Sequence, residues 1–263
     1  MYHTGETYTD LLSGLRAIDE SISFFDLGSG DRLGHAMPIF ENVKKWYNSR
    51  ENRIVISKED YLDNIVWLYC NASDDIQRGE IGKEILSNFK KQFYDLYYDA
   101  FSYKLLSTLK LNEKLDLEKI SIFHYFEAWC LRRIKPEEIK AAIENNIYIG
   151  SPMSNYITYC YFYNTDVKKR GSQSLELYIS NDQIQLISNM QNRVLKKINE
   201  KKICIEICPS SSILLGTAKN GYCHPIINWF KHSGKEFNKN SICISINTDD
   251  QGIFSTSLIS EYS

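Results

Sequence analysis

Three short runs, two of them rich in β-branched residues and all placed near the two ends of the chain, constrain the fold more than any other feature. They are DRLGH at 31–35, KICIEIC at 202–208 and SICISI at 241–246. Each run is too short for a helix, and glycine, proline or Asn-Thr-Asp residues bound it, which is typical of buried strands. Helical spacings over 9–20 and 225–232 flank them. This alternation of strands and helices predicts an α/β fold with a parallel sheet.

The segment between the first two runs, residues 36–202, breaks this alternation and is predicted to be mainly helical. Ser57 to Asp60 is typical of a helix start, and Pro136 opens a short helix. Amphipathic patterns predict three more helices, over 80–108, 118–133 and 175–198, whereas YITYCYFY at 156–163 predicts a strand. The many tyrosines of this segment are expected to pack a core or an interface.

Composition excludes several functional classes. A net charge of −2 gives no general attraction to nucleic acid or to an anionic membrane. The sequence contains no run of about 18 apolar residues and opens with no basic and apolar leader, so we expect no membrane span and no secretory signal. Seven cysteines without a CxxC pair are expected to be buried thiols of a cytoplasmic protein.

Histidine and carboxylate residues lie at the carboxyl ends of the predicted strands. These are His3 with Glu6, then His35, then the pair Asp249 and Asp250. Each signal is weak alone, since a lone histidine is usually a core residue and paired aspartates usually form a turn. Parallel barrels, however, build their active sites at this end of the sheet. Histidine nitrogens and a carboxylate are the ligands of a catalytic zinc, whose water can attack an electron-poor ring carbon.

Five motifs make the assignment specific. They are HTGE at 3–6, DRLGHA at 31–36, IEICPSSS at 205–212, HPI at 224–226 and SINTDDQGIF at 245–254. In this order, they resemble the motifs of the second half of the adenosine deaminase family. The resemblance implies a partial TIM (β/α)8 barrel that contains strands 5–8, with a large, mainly α-helical insertion between strands 6 and 7. The barrel half would comprise residues 1–35 and 203–263, and the insertion residues 36–202.

The resemblance also implies roles for individual residues. His3 and Asp249 would be ligands of one Zn²⁺ per site. Glu6 would be protonated and would donate to the purine ring nitrogen N1, and His35 would orient the attacking hydroxide and take part in proton transfer. Asp250 would hydrogen-bond N7. The implied reaction is hydrolytic deamination of a purine nucleoside or nucleotide, either adenosine or an adenine nucleotide, to the inosine form.

The sequence departs from the family pattern in several places. It has no His-x-His pair, which in the family supplies two zinc ligands from the first strand, and it lacks the fourth-strand glycine segment. We therefore expect a fragment of a longer protein, or a split or decayed gene, that is inactive alone. Thr4, Ala36 and Gln251 stand where the family usually has alanine or cysteine, glycine, and proline. These changes remove no ligand.

Other functions remain open at this stage. A non-catalytic barrel scaffold or assembly subunit is the main alternative, and an enzyme resembling AMP deaminase is another. The inserted module is similar to that of the large deaminase subunit of the RADAR anti-phage system, which assembles into shells, so we expect a homo-oligomer formed through the insertion. The small zinc deaminases that act on flipped bases are excluded, because neither H-x-E nor P-C-x-x-C occurs.

Overall fold

The computed structural model describes residues 2–101, 119–145, 147–215, 224–227, 242–249 and 257–261. The chain divides into two compact units. Met1–Ile54 and Tyr178–Ser263 form the first, called the sheet unit below, and Val55–Leu177 form the second, called the helical unit. The helical unit is narrower than the predicted insertion of 36–202, because the residues flanking it on both sides pack with the sheet.

The described helices and strands follow one another in chain order. They are β1 (Tyr2–Thr4), α1 (Leu11–Phe24), β2 (Arg32–His35), a 3₁₀ turn (Met37–Ile39), α2 (Val43–Asn48), β3 (Arg53–Ser57), α3 (Lys58–Asn71), α4 (Asp74–Arg78), α5 (Glu80–Tyr97), a second 3₁₀ turn (Tyr98–Phe101), α6 (Ile122–Leu131), α7 (Pro136–Glu144), α8 (Pro152–Tyr163), α9 (Thr165–Gly171), β4 (Ser174–Tyr178), α10 (Asn181–Glu200), β5 (Cys204–Ile207), α11 (Pro209–Leu214), β6 (Ile244–Ile246) and α12 (Leu258–Glu261). The three predicted strands are thus present as β2, β5 and β6.

The sheet unit is organised around a four-stranded sheet with the order β1-β2-β5-β6. Every neighbouring pair is parallel, as predicted. The register places His3 beside Gly34, Gly34 beside Glu206, and Glu206 beside Ser245. Residues paired in this way point to the same side of a parallel sheet, so these four residues share one face. All four strands also end at the same edge.

The opposite face of the sheet belongs to the apolar core. Leu33 and Ile205 are fully buried there, and Ile207 is 4% exposed. Helix α1 contacts β1, and α10 packs against α1 and α2. The Lys197 ammonium of α10 reaches the Asp19 carboxylate of α1 at 2.5 Å, which ties the two helices together outside the core.

The helical unit has its own core, in which α3 packs against α5 and α6, and α8 packs against α6 and α7. Aromatic rings fill it, and most of their contacts are edge-to-face or stacked, the geometries that rings prefer. The residues of this cluster are Phe89, Phe93, Tyr97 and Tyr125. Two of the tyrosines expected to pack a core therefore do so. The Arg132 guanidinium binds both oxygens of the buried Asp63 carboxylate, at 2.6 and 3.0 Å.

One predicted element was wrong. Residues 156–163 form part of helix α8 and not a strand. The Ser151 hydroxyl caps the helix by accepting the Ser154 N–H, and Pro152 occupies its first turn. Tyr156 and Cys160, four residues apart, are both fully buried. Capping and this helical burial period outweigh the β propensity of the tyrosine-rich sequence.

Two other predicted helices have different limits. The pattern at 175–198 combines strand β4, which pairs with β3, and helix α10. A capping box fixes the start of α10, with the Ser180 hydroxyl accepting the Gln183 N–H and the Gln183 side chain accepting the Ser180 N–H. Helix α5 ends at Tyr97, and residues 102–108 of the predicted stretch 80–108 lie outside the described residues. Residues 225–227 are helical, and the rest of the predicted helix at 225–232 also lies outside them.

The cysteines differ from the prediction in exposure. Cys160 and Cys208 are buried, but Cys243 is exposed and Cys70, Cys130 and Cys204 are half-buried. Cys223 lies outside the described residues. The prediction of buried thiols was therefore wrong for Cys243, which stands just before the short strand β6.

In the described part of the chain, no helix has both the length and the apolar character needed to cross a lipid bilayer.

Candidate metal centre

Three side chains from distant parts of the sequence converge at the carboxyl edge of the sheet. They are His3, His35 and Asp249, and one possible ligand atom of each lies within 4.8 Å of the others. His3 Nδ1 is 4.0 Å from Asp249 Oδ1, and His35 Nε2 is 3.6 Å from Asp249 Oδ2. The two imidazoles meet edge to face, with ring centroids 5.0 Å apart. Two nitrogens and a carboxylate therefore surround one small volume.

The parallel register brings the two histidines together. His3 lies in β1 directly beside Gly34 of β2, and His35 ends the same strand. A β-carbon at Gly34 would stand 3.0 Å from the His3 Cδ2 atom. Glycine at this position therefore leaves room for the His3 ring against the sheet, which explains a Gly-His sequence in terms of packing.

The backbone turns sharply where the site residues leave the sheet. His35 has a φ of 67°, Ala36 of 45° and Asp249 of 58°, all in the left-handed region. Residues other than glycine adopt this region at a cost of about 1–2 kcal/mol. Such strain is maintained where the surrounding structure requires it, and it is concentrated at functional sites. Here it directs the His35 and Asp249 side chains toward the same volume.

Glu6 adds a second carboxylate to the cluster, next to His35. It lies two residues beyond β1, and its Oε1 is 3.6 Å from His35 Nε2. The Ser211 hydroxyl donates to the same oxygen at 3.4 Å. The Glu6 side chain is 31% exposed, so it can reach a bound molecule. His35 Nε2 thus lies at equal distances from the carboxylates of Glu6 and Asp249.

Burial controls the charge of His35. Its side chain is fully buried, and this desolvation lowers the pKa of the imidazole, although the nearby Glu6 and Asp249 carboxylates act in the opposite direction. Neither ring nitrogen has a hydrogen-bond partner among the described residues. A buried polar atom of this kind normally has a partner, which can be a bound ion, a water or a ligand. The position of His35 therefore favours a ligand at the site.

A third histidine lies near the cluster, and the sequence reasoning gave it no role. His224 is 1% exposed, its Nδ1 accepts the Ile226 N–H at 3.3 Å, and its Nε2 has no partner within the described ranges. Burial lowers its pKa to about 4, with a further contribution from the charge of His35. The motif HPI at 224–226 contains this residue and is the sequence signal that could have identified it.

Cys208 and Glu206 support the strand ends around the cluster. The Asp249 N–H is a hydrogen-bond donor to the Cys208 sulfur, and burial raises the pKa of this thiol to about 12, so it is a neutral thiol at neutral pH. The buried Glu206 carboxylate binds Arg32 at 3.0 Å and accepts from the Asn247 side chain at 2.8 Å. These contacts hold the segment from β6 to Asp249 against β5. Asp250, the fifth predicted site residue, lies outside the described residues.

Comparison with known proteins adds a family to this geometry. Residues 181–263 match the family model described as adenosine deaminase. Adenosine deaminase of Xenopus tropicalis is 40% identical over 68 residues, which cover 26% of this chain and 17% of that protein. Adenosine deaminases of Plasmodium gallinaceum and Plasmodium vivax are 38% and 35% identical over 65 residues, 25% of this chain and 16% of each relative. The matches therefore span about a sixth of the length of these relatives.

Proposed function

We infer that residues 181–263 are the C-terminal region of an adenosine deaminase family domain. We therefore propose that the protein contributes to a metal-dependent hydrolytic deaminase. The family comprises hydrolases that act on C–N bonds. In the proposed reaction, water replaces the amino group of adenine by oxygen and ammonia leaves. The substrate is adenosine or an adenine nucleotide.

The donor set fits a divalent metal. Nitrogen and carboxylate oxygen are ligands that zinc prefers, and a catalytic zinc keeps one position for water. We assign His3 and Asp249 as ligands, since their facing atoms are 4.0 Å apart across the centre. Zn²⁺ at this position would supply a water whose pKa is lowered toward neutrality. Further ligands would come from outside the described residues.

His35 is proposed to accept a proton from the attacking water. Its lowered pKa keeps the imidazole neutral near pH 7, which is the form that can take a proton. Its Nε2 lies 3.6 Å from both the Glu6 and the Asp249 carboxylates, and both would stabilise the imidazolium once it forms. The free ring nitrogens leave this histidine available to a water or a ligand.

Glu6 is proposed to donate a proton to the purine ring nitrogen N1. Protonation there withdraws electrons from the neighbouring carbon and prepares it for attack by water. The Ser211 hydroxyl donates to Oε1 of Glu6 and fixes the carboxyl group. The Glu6 side chain is partly exposed, so it can contact a planar base. Asp250 would accept a hydrogen bond that fixes the ring at N7.

The order of the parallel strands supports a barrel. Strands β1, β2, β5 and β6 are adjacent in the order in which they occur along the chain, which is the arrangement of consecutive barrel strands. We assign them to strands 5–8 of a TIM barrel, with the helical unit inserted between strands 6 and 7. Assembly into a homo-oligomer through this unit, a role in anti-phage defence and a cytoplasmic location stay predictions.

A single observation carries the proposal. His3, Glu6, His35 and Asp249 come from the carboxyl ends of three different strands, and each lies within 4.0 Å of at least one other member of the group. A structural core does not require two imidazoles and two carboxylates at one partly exposed edge. A protein that uses the barrel as a scaffold alone would have no need to retain them together.

The first part of the test is metal binding by the 263-residue chain. Zinc affinity is measured by competition with a chromophoric chelator for the wild type, His3→Ala, Asp249→Ala and Glu6→Gln. We expect the first two variants to bind zinc at least about tenfold more weakly, and Glu6→Gln to bind it as the wild type does. His124→Gln, which changes a histidine of the helical unit, is the matched control. Unchanged zinc binding by His3→Ala would eliminate the metal centre.

The second part is turnover. Ammonia release from adenosine is measured with the protein as it is purified from its natural source. The variants are prepared in that same form and assayed in the same way. Glu6→Gln and His35→Ala should each lower turnover by about 10²–10⁴-fold, the usual contribution of a proton-transfer group. A Glu6→Gln protein that keeps its zinc and its full rate would remove the proposed role of Glu6. A loss of zinc affinity in His35→Ala would instead make His35 a metal ligand.

A further inference from the structure

Two cysteines face each other at the end of the sheet opposite to the candidate metal centre. The sulfur atoms of Cys204 and Cys243 are 2.8 Å apart, and both thiols are free. We propose that this pair is a site of reversible oxidation, in which a peroxide converts the two thiols to a disulfide that links β5 to β6. The proposal does not depend on the proposed deaminase function.

The backbone geometry favours this bond. Ile205 is the register partner of Ile244, so Cys204 and Cys243, each one residue earlier, are paired at the start of the two strands. The Ile205 N–H donates to the Cys243 carbonyl at 2.8 Å, which fixes this pairing. Neighbouring strands are about 4.8 Å apart, and disulfides join Cα atoms separated by about 4.4–6.8 Å. Paired residues also point to the same face, so the sulfurs can bond without a backbone shift.

The surroundings assign different tasks to the two thiols. Cys243 is exposed and can meet a small oxidant, whereas Cys204 is half-buried and burial raises its pKa. Arg32 of β2 is the register partner of Cys204, and its guanidinium interacts electrostatically with both cysteines. Because the oxidant reaches the exposed sulfur first, Cys243 is the attacking residue and the half-buried Cys204 is the resolving residue.

The chemistry balances with hydrogen peroxide as the oxidant. The Cys243 thiolate attacks one peroxide oxygen, an S–O bond forms, the O–O bond breaks, and the second oxygen leaves as hydroxide. The Cys204 sulfur then attacks the Cys243 sulfur, the S–O bond breaks, and the oxygen leaves as water after taking the Cys204 proton. The two sulfurs together lose two electrons. A small dithiol reverses the step and is itself oxidised to a disulfide.

The other described cysteines differ from this pair. Cys160 and Cys208 are buried, and burial raises the pKa of each to about 12. Cys70 and Cys130 are half-buried in the helical unit, and burial raises the pKa of Cys70 to about 12 as well. The thiols of Cys70, Cys160 and Cys208 are therefore protonated near neutral pH. Cys70→Ser is therefore a suitable control, since it removes a thiol without touching the sheet.

The test uses the full chain treated with about one equivalent of hydrogen peroxide, alkylated, digested and analysed by mass spectrometry. We expect a linked peptide pair containing Cys204 and Cys243, lighter than the two reduced peptides by about 2 Da because two hydrogens are lost. Dithiothreitol should restore both peptides. Cys70→Ser should give the same product. Oxidation that leaves both peptides unlinked, or links either cysteine to a different partner, would overturn the proposal.

A second variant keeps the test valid if the linked peptide is difficult to detect. In Cys204→Ser, the resolving thiol is gone, so Cys243 should progress to the sulfinic and sulfonic acids at least about tenfold more than in the wild type. Circular dichroism confirms that the variant is folded. Equal overoxidation of Cys243 in wild type and Cys204→Ser would show that Cys204 does not resolve the sulfenic acid, and would refute the pair.

Discussion

Acidification is expected to destabilise the sheet unit through His224. This side chain is 1% exposed, and its Nδ1 is occupied as the acceptor of the Ile226 N–H. Burial lowers its pKa to about 4 from an ordinary value of 6.5. The unfolded chain therefore binds a proton at His224 at a higher pH than the folded protein does, and protonation favours unfolding.

The magnitude follows from this difference. One pKa unit corresponds to about 1.4 kcal/mol, so the interval from 6.5 down to about 4 corresponds to about 3 kcal/mol of unfolding free energy. The contribution is complete above pH 6.5, is lost progressively as the pH falls, and changes no further below about pH 4. This is a large part of the stability of an ordinary domain.

The assay is urea unfolding of the full chain at a series of pH values across this interval, with hydrogen exchange to identify the sheet unit. His224→Asn keeps an acceptor for the Ile226 N–H but cannot titrate, so its unfolding free energy should lose about 3 kcal/mol less on acidification than that of the wild type. Ile226→Val is the control, because it lowers stability by a similar amount at every pH. Parallel curves for wild type and His224→Asn would refute the reasoning.

Three further predictions concern the site and the two cores. Gly34→Ala places a β-carbon 3.0 Å from the His3 ring, so zinc affinity measured by chelator competition should fall about tenfold while circular dichroism stays unchanged. Asp63→Asn removes the carboxylate that pairs with the Arg132 guanidinium, whose side chain is 9% exposed. In urea unfolding, this change should lower the unfolding free energy of the helical unit by about 3–5 kcal/mol. A loss under about 1 kcal/mol would contradict this. Zinc at a hundredfold excess over its dissociation constant should stabilise the sheet unit by about 3 kcal/mol. If a chelator leaves the Tm of the sheet unit unchanged in a thermal scan, this prediction is contradicted.

The sheet and its polar edge could be predicted because their signals are local. Alternating β-branched runs mark β5 and β6, and short strands followed by polar residues give a parallel sheet with one polar edge. The convergence of His3, His35 and Asp249 follows from this topology, although their roles stay predictions. Residues that share an edge of a parallel sheet need no long-range signal to be brought together.

Features that depend on burial could not be predicted in the same way. The tyrosine-rich run at 156–163 has strand propensity, and the Ser151 cap together with the packing of α8 against α6 and α7 selects the helix. The burial of His224 near the cluster is a result of tertiary packing, which the HPI motif alone does not specify. The Cys204–Cys243 contact is a product of strand register, and the spacing of two cysteines in a sequence carries no information about register.

Ala36 offers a direct measurement of the strain at the edge of the sheet. It is fully buried and has a φ of 45°, and it stands where glycine is usual in the resembling family. Replacing it by glycine removes a buried methyl group, at about 0.8 kcal/mol, and adds about 0.5–1 kcal/mol of chain entropy. Because glycine adopts the left-handed region without strain, the substitution also stabilises the fold by about 1–2 kcal/mol. The net change in the free energy of unfolding should therefore be close to zero.

Ala128 provides the matched comparison for Ala36→Gly. It is 1% exposed and lies in the middle of helix α6, where the backbone is regular. The same substitution there loses the methyl group and the helix propensity of alanine and relieves no backbone strain. It should lower the free energy of unfolding by about 2 kcal/mol. Urea unfolding of both variants, with hydrogen exchange to separate the two units, measures the difference. If both cost the same, the turn after β2 holds no strain, and the site geometry at His35 follows from side-chain packing alone.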